Sequence, residues 1–266
     1  MNQVITKQEI ISGLLKLGLT QGSIALVHSS LSSFGYVDGG VDIVIDALLE
    51  IVGEEGTIMV PTLTGNSQQN AIIPPIFDPI NTPCWTGKIP EAFRHRKTAA
   101  RSLHPTHSVA AIGKLAKYLI ASHETCETPC SIKSPYGKLV KLGGYILLIG
   151  CMHSSSTILH LVEEVANSPY HLQSDWIDAQ LVQPNSTTKL IRCKIHLWGW
   201  DRDFNKIDTL LSDAGIMRIS KIGKSTVRLI AARPMVELVL RELEADPLYL
   251  LTPEAKKAFL AKVAKK

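Results

Sequence analysis

The sequence predicts an α/β fold: a mixed, largely parallel central sheet flanked by helices, with an antiparallel C-terminal portion. Three observations lead there. The chain opens in the order helix, strand, turn, helix, strand, the alternation of a parallel sheet covered by helices. Its early strands, residues 23–28 (SIALVH) and 57–60 (TIMV), are continuous apolar runs, as strands buried on both faces are. In the second half, residues 187–197 and 217–231 read as β-structure, and a turn at Gly223 divides the latter into an antiparallel pair.

The elements follow in order. Residues 6–17 form an amphipathic helix: Thr6 and Glu9 make a capping box, and Ile10, Ile11, Leu14, Leu15 and Leu17 supply its apolar face. Gly18 stops it. After the strand 23–28 comes a Ser-rich turn, then a helix over 41–52 between Gly39-Gly40 and Gly53. Pro61 closes the strand 57–60. Residues 63–86 carry four prolines and many polar groups, so they form a long loop, and such loops inside compact domains are usually lids or binding loops. Residues 88–97 and 114–122 are helical, with a strand at 108–112 between them. Residues 140–144 end a helix in a glycine turn, and 145–149 (YILLI) form a strong buried strand. A polar turn at 150–156 leads into a helix over 157–166, and 236–245 is helical.

Length and composition bound the function. A chain of 266 residues, 45% hydrophobic and 20% charged, buries a core without disulfide or metal support. We expect one domain over 1–266, its part up to about 168 carrying most of the chemistry and 169–266 completing it. A net charge of +4, evenly spread, argues against nucleic acid as a partner. The run Lys256, Lys257, Lys262, Lys265 and Lys266 reads as a solvated helical face, with polyanion binding as the other reading. Five scattered cysteines point to a reducing compartment. The start of the chain lacks a signal-peptide pattern and no apolar run is long enough to span a bilayer, so the expected location is cytoplasmic, with no membrane partner. A monomer and a homodimer are both open.

Three loops follow the three apolar strands at their carboxyl ends, where open α/β sheets bind ligands. They bring His28, Ser29, Ser30, His153, Ser154, Ser155, Ser156, Thr157 and His160 towards one region. The turn HSSLSSFG suits a phosphate group through its N–H and hydroxyl donors, or is a plain Ser-rich cap. His160 has Glu163 and Glu164 three and four residues on, both on its own helical face. A carboxylate there orients an imidazole as a general base, and an ordinary surface pair has the same spacing. His104, His107, His123, Cys126 and Cys130 bring a zinc hydrolase to mind, but their spacing completes no ligand set. No G-x-S-x-G elbow is present.

Together these blocks resemble the aminoglycoside 3-N-acetyltransferase family. The resemblance rests on LVHSSLSSFGYVDGG (26–40), GEEGTIMVPTLTG (53–65), FDP and TPCWTGKIPEAFR (77–79 and 82–94), RSLHPTHSVAAIG (101–113), SPYGKLVKLGGYILLIG (134–150) and SSSTILHLVEE (154–164). A weaker match lies at 221–233. The resemblance implies an acetyl-CoA-dependent N-acetyltransferase that modifies the 3-amino group of an aminoglycoside antibiotic and confers resistance, without a metal. It makes His160 the general base, with Glu163 and Thr157 beside it. It places the coenzyme phosphates on Ser29, Ser30, Leu31 and Ser32, and makes Ser108, Ser134, Pro135 and Tyr136 line the cofactor channel. Acidic contacts to a polycationic acceptor are then sought at Asp78, Glu164, Asp208 and Asp213, with Asp175, Asp178, Asp201 and Asp203 as further candidates. The stretch 204–213 departs from the family's Glu-rich pattern through Lys206, Thr209 and Ser212. That leaves open another amine, an amino sugar or amino-phosphonate metabolite, and a non-catalytic coenzyme A-binding module.

Overall fold

A computed structural model of the chain describes residues 4–265; residues 1–3, the first of the stretch read for a signal peptide, and Lys266, the last of the basic run, lie outside them. β1 (Val4–Ile5) leads into α1 (Lys7–Leu17). The expected capping box is present: the Thr6 hydroxyl accepts from the Glu9 N–H, and Glu9 Oε2 accepts from the Thr6 N–H at 2.8 Å. Gly18 ends the helix at φ 100°, a conformation costly for a residue with a Cβ. β2 (Ile24–Ser29), a 3-10 turn at Leu31–Phe34, β3 (Tyr36–Val37), α2 (Gly40–Val52) and β4 (Thr57–Pro61) follow. The long loop contains one short strand, β5 (Ile76–Phe77). Then come α3 (Lys88–Arg94), β6 (Ala100–Arg101), β7 (Val109–Gly113), α4 (Ala116–Ile120), α5 (Pro135–Lys141), β8 (Tyr145–Ile149) and α6 (Ile158–Val165). The second half adds β9 (Ile177–Val182), β10 (Thr188–Cys193), α7 (Ile207–Asp213), β11 (Met217–Ile222), β12 (Ser225–Ala231), α8 (Ala232–Ala245) and α9 (Pro253–Val263).

Among the described residues, seven strands form the main sheet in the order β11-β12-β8-β2-β4-β7-β6. β2 pairs in parallel with β8 and β4, and every other pair in this sheet is antiparallel. The parallel part is therefore the three central strands, whose carboxyl ends share one edge. The β11–β12 pair attaches to β8, so the C-terminal portion extends the central sheet. A second sheet, in the order β10-β9-β5, draws the long loop towards the second half.

The central strands are buried on both faces, as their unbroken apolar runs predict. Ala25 and Val27 of β2 face a layer holding Leu14 of α1, Leu48 of α2 and Phe93 of α3. Leu26 faces the other way, towards Leu139 of α5, Val162 of α6 and Val239 of α8. Burying a side chain of this size stabilises by roughly 1.5–3 kcal/mol, so these layers fix the register that aims the strand ends at the site.

The segment Ser134-Pro135-Tyr136-Gly137 starts α5. Ser134 caps it, accepting from the Gly137 N–H, and Pro135 takes the first helical position, where a missing N–H costs nothing.

Candidate active site

The cleft opens at the carboxyl ends of β2, β4 and β8, where the three loops were expected to meet. One chamber is walled by His28 and Ser29 after β2, Pro61 and Leu63 at β4, Trp85, Thr86 and Pro90, and the turn Ser154 to Thr157 with His160. A second is walled by His107, Phe204 and the segment from His196 to Arg202. Leu63, Trp85, Ser154 and His160 line both. His160 therefore stands where the chambers meet. An outer shelf, lined by Ser29, Ser30, Leu31, Ser32, Gly35, Gly87 and Lys88, adjoins the first chamber through Ser29. Its turn is held by Ser33, whose Oγ donates to the Ser30 carbonyl at 2.6 Å and lies 2.9 Å from the Ser225 hydroxyl. Arg101 pins the long loop from beneath, donating to the carbonyls of Thr62, Pro79 and Thr82.

His160 projects from the first turn of α6, and its Nδ1 lies 2.7 Å from Glu163 Oε2. The ring is 24% exposed, whereas the Glu163 side chain is 0% exposed. His171 Nδ1 also reaches Glu163 Oε2, at 2.9 Å, and Arg202 Nε donates to Oε1 at 2.7 Å. Burial alone would raise the Glu163 pKa, but His171, His160 and Arg202 together hold it well below the usual carboxylate range. An ionised Glu163 can only accept, so His160 Nδ1 carries its proton towards Glu163 and Nε2 is the basic nitrogen. Burial lowers the His160 pKa and Glu163 opposes the shift, so the ring is neutral near pH 7. For His171 burial acts downward too, but Glu163 and Glu164 prevail and the pKa is raised.

Three buried polar atoms on the first chamber's wall have no partner: His28 Nε2, Ser29 Oγ and Ser156 Oγ. Burial lowers His28 to about 3, so it is neutral and carries one N–H. Unpartnered polar atoms are costly in a closed core and expected where a ligand completes them.

Not all of the other expected site residues reach the cleft. Thr157 lines the first chamber. Ser108, Ser134, Pro135 and Tyr136 are buried and not brought to the cleft: Ser108 Oγ donates to the Thr62 carbonyl, and Tyr136 donates to the His107 carbonyl. Among the four acidic candidates, Glu164 Oε1 is buried and accepts from the Cys130 N–H and from His196 Nε2. Asp208 is paired with Arg228 and His153. Asp78 accepts from Asn81 and the Ile80 N–H. Asp213 is exposed at the end of α7. None of the four lines either chamber. Asp201 does, between Trp200 and Arg202. No local pattern points to His171, His196 or Arg202, because their partners are distant in sequence.

The model of the family described as aminoglycoside 3-N-acetyltransferase matches residues 26–244. The chain is 31% identical over 252 residues to the aminoglycoside N(3)-acetyltransferase IV of a Salmonella species, covering 93% of this chain and 90% of that protein. It is 36% identical over 180 residues to the aminoglycoside N(3)-acetyltransferase VII of Streptomyces paromomycinus, and that match spans 62% of each. Among solved structures, a histidine-to-alanine variant of AAC(3)-IVa in complex with a gentamicin is similar at TM-score 0.82 and 30% identity, over 95% of this chain and 93% of that one. AAC-IIIb, binary with CoASH, is similar at TM-score 0.79 and 25% identity, over 91% and 97%.

Proposed function

This chain belongs to the aminoglycoside 3-N-acetyltransferase family, and from that premise we propose that it moves the acetyl group of acetyl-CoA to the 3-amino group of an aminoglycoside, with His160 as general base. One observation carries the proposal: His160 is shared by two chambers, with its Nδ1 side committed to a buried, ionised Glu163.

The coenzyme occupies the shelf and the first chamber. Ser29, Ser30 and Ser32 present hydroxyls beside Leu31, and Lys88 supplies a cation for the phosphates. The pantetheine arm runs inward past Ser29 and His28. The acceptor occupies the second chamber, where Trp85, Trp198 and Trp200 offer faces to sugar rings and Asp201 attracts an ammonium group.

Only a neutral amine attacks a thioester. His160 Nε2 takes the amine proton as the C–N bond forms, and Glu163 stabilises the imidazolium that results. Charge collects on the acetyl oxygen. The Thr157 hydroxyl, the backbone N–H groups of the preceding turn and, in the tautomer protonated there, the unpartnered His28 Nε2 are the donors available to it. The C–S bond then breaks, and the imidazolium returns its proton to the departing thiolate. General base catalysis is worth ~10²–10⁴-fold, so positioning in the two chambers supplies the remainder.

A second acceptor reading has its own support. Among the described residues lining the two chambers, Asp201 is the one carboxylate, a sparse complement for a polycation. A less charged amino sugar or amino-phosphonate fits that wall as well. Thiol release from acetyl-CoA against a panel of aminoglycosides and simpler amino sugars decides between them. His160→Ala should retain acetyl-CoA binding and lose most turnover; near-wild-type turnover would end the assignment.

Among the described residues no helix is long and apolar enough to cross a membrane. The five cysteines are unpaired, which supports a cytoplasmic location.

A further inference from the structure

Behind the wall of the acceptor chamber, three side chains from three separate loops converge. His107 comes from the loop between β6 and β7, Cys130 from the loop before α5, and His196 from just after β10. All three are buried, and each offers one ligand atom within 4.8 Å of the others. The two imidazoles lie edge to face, with centroids 4.2 Å apart. Thr106 Oγ1 meets His107 Nδ1 at 2.9 Å, and Glu164 Oε1 meets His196 Nε2 at 3.1 Å. Each ring thus has one nitrogen oriented by a neighbour and no other ring hydrogen bond among the described residues, the arrangement of a metal-ligating histidine. Cys130 Sγ has no hydrogen-bond partner there either.

Around this cluster the polar accounting stays open. Glu164 Oε2 and His171 Nε2 are both buried without a hydrogen bond, and His171 Nε2 lies 3.8 Å from Glu164 Oε1. His171 also forms, with His160 and His196, a second group of converging ligand atoms. Two imidazoles and a thiol packed together gain little from one another, because the ring nitrogens not held by Thr106 and Glu164 have no protein proton or cation between them.

We propose that His107, Cys130 and His196 bind one zinc ion, which ties three loops together at the wall of the acceptor chamber. Two nitrogens and one soft thiolate select zinc among common divalent ions. Tetrahedral zinc needs its ligand atoms about 3.3–3.9 Å apart, so modest side-chain rotations close the set. His107 and His196 both line the acceptor chamber, so the fourth position faces the cleft. The ion and the Cys130 thiolate leave one net positive charge, and Glu164, already on His196, supplies the balancing carboxylate. The sequence alone suggests no metal, because His104, His107, His123, Cys126 and Cys130 lack a completing ligand. His196 is that ligand, and His123 and Cys126 are engaged elsewhere, with Ser102 and Ser122. Nothing in this site depends on acetyl transfer.

The test uses full-length protein without a histidine tag, grown with zinc. Metal analysis should find about one zinc per chain. The cobalt-substituted protein should show a thiolate-to-cobalt charge-transfer band that Cys130→Ser abolishes and Cys126→Ser leaves intact. His196→Asn should lower zinc content. Chelation should lower the melting temperature, and zinc should restore it. Zinc-free protein that takes up none on titration overturns the proposal, as does a wild-type cobalt spectrum without the thiolate band. These two readouts use the wild type, so they stand even where a variant fails to fold. A melting temperature unmoved by chelation refutes the tie between the loops.

Discussion

Replacing Glu163 with Gln changes one atom and one charge, in a carboxylate that serves three partners. Glu163 Oε2 serves His160 and His171, and Oε1 serves Arg202. A Gln side chain has one oxygen for these two places. With its oxygen towards the histidines, its NH₂ opposes the Arg202 N–H, and a partly buried guanidinium loses its anion. With its oxygen towards Arg202, its NH₂ donates to His160 Nδ1, and Nε2 then carries the proton and cannot accept one. The first arrangement is destabilising by about 3 kcal/mol or more, the usual cost of breaking a buried pair. Against a total stability of roughly 5–15 kcal/mol the protein still folds, with a melting temperature lowered by roughly 6–12 °C. The second arrangement removes the base and should lower kcat by ~10²–10⁴. Glu163 lines neither chamber, so KM for acetyl-CoA should change little. Steady-state thiol release and a thermal melt read both effects. Turnover within about threefold of wild type would refute the role of Glu163 in holding the tautomer.

Other expectations rest on different parts of the molecule. Burial lowers His28 to about 3 and His123 to about 4, so below pH 6.5 the unfolded chain takes protons that the folded chain refuses. Stability should therefore fall on acidification from about pH 6.5 towards 4, by up to about 1.4 kcal/mol per pH unit per histidine; a urea midpoint unchanged between about pH 7 and 5 contradicts this. Gly150 has φ 63°, and an added Cβ would lie 1.8 Å from Ser33 Oγ, which holds the Ser-rich turn. Gly150→Ala should weaken coenzyme A binding in calorimetry by about 1–3 kcal/mol, and equal affinity would show that the shelf does not hold the phosphates. Trp85 lines both chambers while its Nε1 donates to the Gly65 carbonyl at 2.9 Å, so Trp85→Ala should raise KM for acceptor and coenzyme together. An effect on one substrate alone would place Trp85 in a single subsite.

Local codes in the sequence translate directly into structure. Thr6 and Glu9 announce α1, and the run YILLI becomes β8 with the same ends. Two further elements also carry local signals: Ser134-Pro135 is a cap followed by a first-turn proline, and Ile207, Leu210 and Leu211 recur at the helical period that forms α7. β9 is a short alternating strand whose partners, β10 and β5, lie on both sides of it in the chain. The site shows the deeper limit. The i,i+3 spacing of His160 and Glu163 is legible, but a surface pair has the same spacing. His171 and Arg202 bury and neutralise Glu163, which sets this pair apart from a surface one, and those contacts depend on tertiary packing. The pairing of Asp208 is hidden for the same reason, because Arg228 comes from a distant strand.

Glu163 is satisfied from both sides of residue 168: His160 lies before it in the chain, His171 and Arg202 after it. β8 likewise has β2 on one edge and β12 on the other. A ribosome that has released only the first 168 residues has made His160 and Glu163, but neither His171 nor Arg202 to hold the carboxylate and no strand to cover the open edge. Catalytic competence thus arrives late in synthesis. The same division suits a reporter of association: fragments 1–168 and 169–266, silent apart, would regain thiol release only when fused partners bring them together.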